Sequence, residues 1–130
     1  MPHILLIEDD TEFRQPLVKM LVGDGHSVST AQDGVAALAM LETLRPELII
    51  TDILMPNMDG IETILELSRL HNAVPIIAMS GGRRILTPEF NLGSAGLMGV
   101  KVTLAKPFSR ADLRRAIAEA LKPPLAERHP

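Results

Sequence analysis

Four short stretches of this 130-residue chain carry residues able to do chemistry together: Glu8-Asp9, Asp52, Ser80 and Lys106. Three carboxylates gathered in one place repel one another unless a cation sits among them. Oxygen donors without His or Cys suit a hard divalent ion, most naturally Mg²⁺ that keeps several of its waters. A carboxylate beside such an ion can act as a nucleophile toward a phosphoryl group and form an aspartyl-phosphate. The Ser80 hydroxyl and the Lys106 ammonium would then neutralise charge on the phosphoryl oxygens. Taken singly, each residue has a plainer role. Asp52 satisfies the first turn after a strand, Ser80 before Gly81-Gly82 is a turn residue, and Lys106 is a solvated charge.

What decides between these readings is where the chain places the residues. Asp52 follows the apolar run Leu48–Ile50 and precedes the turn formers Pro56, Asn57 and Gly60, so it sits at a strand's carboxyl end. In all, strands are predicted over 3–7, 27–31, 47–51, 74–79 and 101–105. Helices alternate with them. The first runs from about Thr11 to Val22, capped by Asp10 and closed by Gly23 and Gly25, with Pro16 predicting a kink or a disturbed first turn. A second runs from Gly34 to about Leu44, stopped by Arg45-Pro46, and a third from Gly60 to Leu70, capped by Asp59. Thr87-Pro88-Glu89 opens a fourth, weakened by Gly93, Gly96 and Gly99. Ser109, with Asp112 three residues on, caps the last, which ends near Leu121.

Five strands alternating with five helices specify an α/β fold, a doubly wound parallel sheet with helices on both faces. Ligands of such sheets bind outside the carboxyl ends of the strands. Glu8-Asp9 follows the first strand, Asp52 the third, Ser80 the fourth and Lys106 the fifth, so all of them face one crevice. Solitary plain roles do not account for that coincidence.

Composition narrows the rest. The length suits one domain, taken as residues 1–122 with a short polar tail over 123–130. Aromatic residues make up 2% of the chain, too few for base-stacking platforms, and a net charge of -3 argues against a phosphate-backbone binder. The absence of Cys removes thiolate chemistry and suits a reducing cytoplasm. The longest wholly apolar run, Val35 to Leu41, falls far short of the ~20 residues a membrane span needs, and the first eight residues do not read as a signal peptide. Four scattered histidines show no metal-ligand spacing and are read as surface residues; Arg110, Arg114 and Arg115 are read as a solvated helix face.

Glu8-Asp9, Asp52 followed by Met55-Pro56-Asn57-Met58-Asp59-Gly60, Ser80-Gly81 and Lys106-Pro107-Phe108 together resemble the signature of receiver domains of bacterial two-component response regulators. The likeness runs from Ile4 to Leu121. It implies a flavodoxin-like sheet of order 2-1-3-4-5, Asp52 as phosphoacceptor, and Asp9 as a direct Mg²⁺ ligand. It further implies that Glu8 orders metal-bound water, that Leu54 offers its carbonyl to the metal, that Ser80 and Lys106 assist at the phosphoryl group, and that Lys106-Pro107 is cis. The implied partner is a sensor histidine kinase or histidine phosphotransfer protein, the implied activity a phosphorylation switch rather than an enzyme, and a weak dimer is compatible with it.

Two departures stand out. Thr103 occupies the place three before the lysine where the family often has Tyr or Phe, so the switch rests on Ser80, Thr103 and loop rearrangement. The Ser80–Lys106 interval is also a few residues longer than usual. The chain ends soon after its last helix and reads as a stand-alone receiver, with Lys122-Pro123-Pro124 as the start of a linker if it is part of a larger regulator. Two competing functions are an interaction module of the same fold that is never phosphorylated and an aspartyl-nucleophile phosphohydrolase. The latter wants a second Asp two positions after the nucleophile, where this chain has Leu54.

Overall fold

Residues 4–7 and 48–50 are apolar at every position, a pattern expected of strands covered on both sides. In the computed structural model, which describes residues 2–53, 60–70, 74–80 and 100–122, both become strands with no exposed side chain. Five strands, β1 (His3–Ile7), β2 (Ser27–Ala31), β3 (Leu48–Asp52), β4 (Ile76–Ser80) and β5 (Val100–Ala105), form one parallel sheet in the order β2-β1-β3-β4-β5. Four helices lie among the described residues: α1 (Thr11–Gly23), α2 (Gly34–Met40), α3 (Gly60–Leu70) and α4 (Arg110–Ala120).

Alternation along each strand builds two cores. Leu5, Ile7 and Ile49 face α2 and α3, meeting Ala37, Leu41, Ile64 and Leu67. Ile4, Leu6, Leu48 and Ile50 face the opposite way and meet Leu17 and Leu21 of α1 and Leu113, Ala116, Ile117 and Ala120 of α4. Side chains of successive strand residues point to opposite faces, so one apolar run supplies both cores.

Several boundaries differ from the sequence reading. Helix α2 stops at Met40 rather than near Leu44: the next amides bond three residues back, Glu42 N to Ala39 O and Thr43 N to Met40 O, and the Arg45 guanidinium occupies the Leu41 and Leu44 carbonyls. Strand β4 starts at Ile76 rather than Val74, because Pro75 has no N–H to offer the ladder. Helix α1 runs unbroken through Pro16, which is exposed; the carbonyl it leaves without an amide belongs to exposed Glu12 and can take water. At its end Gly25 adopts φ 93°, with Gly25 N bonded to Val22 O and His26 N to Leu21 O, the Schellman arrangement that terminates a helix. The helix predicted from Thr87, the Leu54 carbonyl, Gly81-Gly82 and the tail over 123–130 lie outside the described residues.

Candidate functional site

Backbone hydrogen bonds lock neighbouring strand ends at one level. Glu8 N donates to Ala31 O (3.0 Å), Ile53 N to Met79 O (3.0 Å) and Lys106 N to Ser80 O (2.8 Å). The order of the sheet reverses between β1 and β3, and the crevice at that switch point holds the acids. Glu8 and Asp52 are buried and Asp9 half-buried, with one carboxylate oxygen from each lying within 4.8 Å of the others.

The ammonium of Lys106 closes the cluster, 2.8 Å from Asp52 Oδ2 and 2.5 Å from Glu8 Oε1. Glu8 Oε2 accepts from the Asp10 amide at 3.2 Å, and Asp10 itself caps α1 by accepting from Glu12 N at 2.9 Å. Burial pushes the Glu8 carboxyl up to about 7 against the pull of its hydrogen bonds from Lys106 and Asp10. For Lys106 burial opposes the charge, yet hydrogen bonds to Asp52 and Glu8 outweigh it and raise its pKa. The Thr51 hydroxyl donates to the Asp52 carbonyl at 3.0 Å, tying down the backbone that carries the acid. Oxygen donors this close, with no nitrogen or sulfur among them, fit a small hard cation such as Mg²⁺.

Glu8, Asp9, Asp52 and Lys106 therefore meet. Ser80 ends β4 beside them, half-buried, its carbonyl bonded to Lys106 N, and the Lys106–Pro107 peptide is cis. Thr103 lies elsewhere, in edge strand β5 opposite Ala78, where it lines a cavity of about 380 Å³ with Leu104, Phe108, Asp112 and Arg115.

Sequence reasoning missed two contributors to the site. Phe13 places its ring under the Lys106 ammonium, 4.1 Å from the centroid; two of the chain's three aromatic side chains meet there, and that scarcity was the available signal. Arg14 donates to the Glu8 carbonyl at 2.7 Å, with nothing in the local pattern to announce it. Away from the site, Arg110 and Arg114 lie on an exposed helix face, as read, and both also bond Asp24 at the end of α1, each at 2.8 Å. His3 and His26, by contrast, are half-buried rather than on the surface, with His3 Nε2 2.8 Å from Ser29 Oγ.

Residues 4–118 match the family model of the response regulator receiver domain. The chain belongs to that family. This receiver is 36% identical over 125 residues to the transcription factor SKN7 of Saccharomyces cerevisiae, covering 92% of the receiver and 19% of SKN7. It is 32% identical over 124 residues to the response regulator MprA of Mycobacterium avium, covering 93% of the receiver and 53% of MprA. The receiver thus spans about a fifth of the first relative's length and about half of the second's. Among solved structures it resembles the chemotaxis protein CheY4 of Vibrio cholerae, with a TM-score of 0.82 and 28% identity over 93% of the receiver and 99% of that chain. The five-stranded order and the two-faced helix packing are those expected of a flavodoxin-like sheet. No helix among the described residues is long and apolar enough to cross a membrane.

Proposed function

We propose that Asp52 is the phosphoacceptor of a two-component phosphorelay and that the receiver is a switch rather than an enzyme with a separate substrate. One observation carries this reading: Asp52 ends the central strand within an oxygen cluster and accepts a hydrogen bond from Lys106 at 2.8 Å. A nucleophilic carboxylate, a place for a divalent cation and a fixed ammonium are the parts that phosphoryl transfer to an acid requires.

In the proposed reaction a carboxylate oxygen of Asp52 attacks the phosphorus of a phosphohistidine on a sensor kinase or phosphotransfer protein. The new P–O bond forms as the P–N bond breaks, and the imidazole leaves with that electron pair. Lys106 passes from the Asp52 carboxylate to the phosphoryl oxygens, and the Ser80 hydroxyl, at the neighbouring strand end, donates to another. Asp9 and Asp52 would hold Mg²⁺ with Glu8 beside them; when bound, the ion neutralises charge on the transferring group. Attack of water on the acyl phosphate returns the receiver to rest. Thr103, on the edge strand, belongs to the surface whose change a downstream partner would read. Such a relay operates in the cytoplasm, where the kinase meets ATP.

Incubating the full chain with Mg²⁺ and a small phosphodonor tests this. Intact mass should rise by one phosphoryl group in the wild type and stay unchanged in Asp52→Asn. A wild type that never gains the group is instead an interaction module of receiver fold.

A further inference from the structure

We infer that Phe13 is a positioning residue for Lys106, its ring face serving as a fixed, uncharged seat for the ammonium while the carboxylate contacts of that ammonium exchange. This rests on the reading of Asp52 as phosphoacceptor.

The Lys106 Nζ lies 4.1 Å from the Phe13 ring centroid, inside the range where a cation is drawn to the negative face of an aromatic ring. Its side chain is 15% exposed, so water screens that attraction weakly. Phe13 is itself held: it lies in the first turn of α1, packs against the core beneath α1 and α4, and meets Phe108 nearly edge to face, with centroids 5.7 Å apart and ring planes at 85°. The core is otherwise aliphatic, and the sequence has three phenylalanines with no Trp or Tyr. Two of those rings meet beside the one lysine of the site.

The seat matters because one of the other two contacts of Lys106 does not last. Its hydrogen bonds go to Glu8 and Asp52, and transfer to Asp52 converts that carboxylate into an acyl phosphate. An anionic wall would compete with the incoming phosphoryl oxygens for the ammonium. An aromatic face attracts it without competing for a hydrogen bond, so the ammonium stays at the strand end as its partners change.

Two measurements on the full chain decide. First, Phe13 is replaced by progressively fluorinated phenylalanines, which keep shape while draining the ring face of negative charge, and by Leu. The maximal phosphorylation rate with Mg²⁺ and saturating phosphodonor should fall stepwise along the fluorine series, reaching roughly fivefold at its end and in Phe13→Leu. Folding, monitored by circular dichroism, should hold along the fluorine series even if the Leu variant proves unstable. Second, the Lys106 ε-methylene protons should resonate upfield in the wild type, from the ring current, and return to ordinary shifts in Phe13→Leu or, should that variant not fold, in Phe13→Met. Equal rates along the fluorine series, or ordinary Lys106 shifts in the wild type, overturn the inference. A wild type that shows the upfield shift but takes no phosphoryl group removes the functional reading while leaving the ring contact in place, and the positioning role then falls with that reading.

Discussion

Lys106 Nζ lies 2.8 Å from Asp52 Oδ2 across 54 residues of sequence, and 2.5 Å from Glu8 Oε1 across 98. One ammonium thus faces two carboxylates whose side chains are 5% and 0% exposed. A buried ion pair of this kind contributes little net stability, because desolvation offsets much of its attraction, although deleting one partner is costly. In the proposed reaction its worth lies in placing a cation where charge develops during phosphoryl transfer.

Removing that cation is the direct check. Lys106→Met should slow phosphorylation of Asp52 by about a hundredfold, the loss typical of deleting one charge-stabilising donor from an active site. Time courses of intact mass with a small phosphodonor measure it. A rate within a few-fold of wild type would remove Lys106 from the mechanism.

Divalent cations should stabilise the native receiver. If Mg²⁺ binds the cluster of Glu8, Asp9 and Asp52 only in the folded state, raising its concentration to tenfold above Kd adds about 1.4 kcal/mol. Thermal unfolding should shift upward with Mg²⁺ and back on chelation, and Asp9→Asn should lose the response. An unchanged midpoint in the wild type would argue against a metal at these oxygens.

Pro16 sits inside α1 with no amide hydrogen to give Glu12. Pro16→Ala restores that bond on an exposed face and should raise stability by about 1–3 kcal/mol, after allowing for the greater freedom of the unfolded chain. Urea unfolding reports it as a higher midpoint at constant slope. A lower midpoint would mean that the proline ring packs better than the helix bond it displaces.

Asp24 predicts an acid dependence. Hydrogen bonds from Arg114 and Arg110 hold its carboxyl well below the ordinary 3.8. A carboxyl whose folded pKa is depressed stabilises the native state above its unfolded value, and that contribution disappears as pH falls toward the folded one. The stability gap between wild type and Asp24→Asn should therefore be constant from about pH 5 upward and close below about pH 4. Salt should narrow it as well, since the two arginines are 46% and 58% exposed. A gap that widens in acid would contradict the pairing.

Much of this was legible in the chain itself. Apolar runs such as Leu48–Ile50 mark strands because a continuous run can be buried only between two layers, and Asp10 and Ser109 announce helix starts because their oxygens satisfy first-turn amides. From that alternation the parallel sheet follows, and with it the level at which Glu8, Asp9, Asp52, Ser80 and Lys106 must emerge. Local chemistry and period were sufficient for these.

What only the folded molecule decided are relations between elements that share no local pattern. The seating of Lys106 over Phe13, the Arg14 bond to the Glu8 carbonyl and the tie of α4 to Asp24 all depend on the angle at which helices cross the sheet. A sequence states which residues a strand or helix presents to its neighbours; the distance between two long side chains on different elements follows from how the whole core packs, and no short stretch of chain contains it.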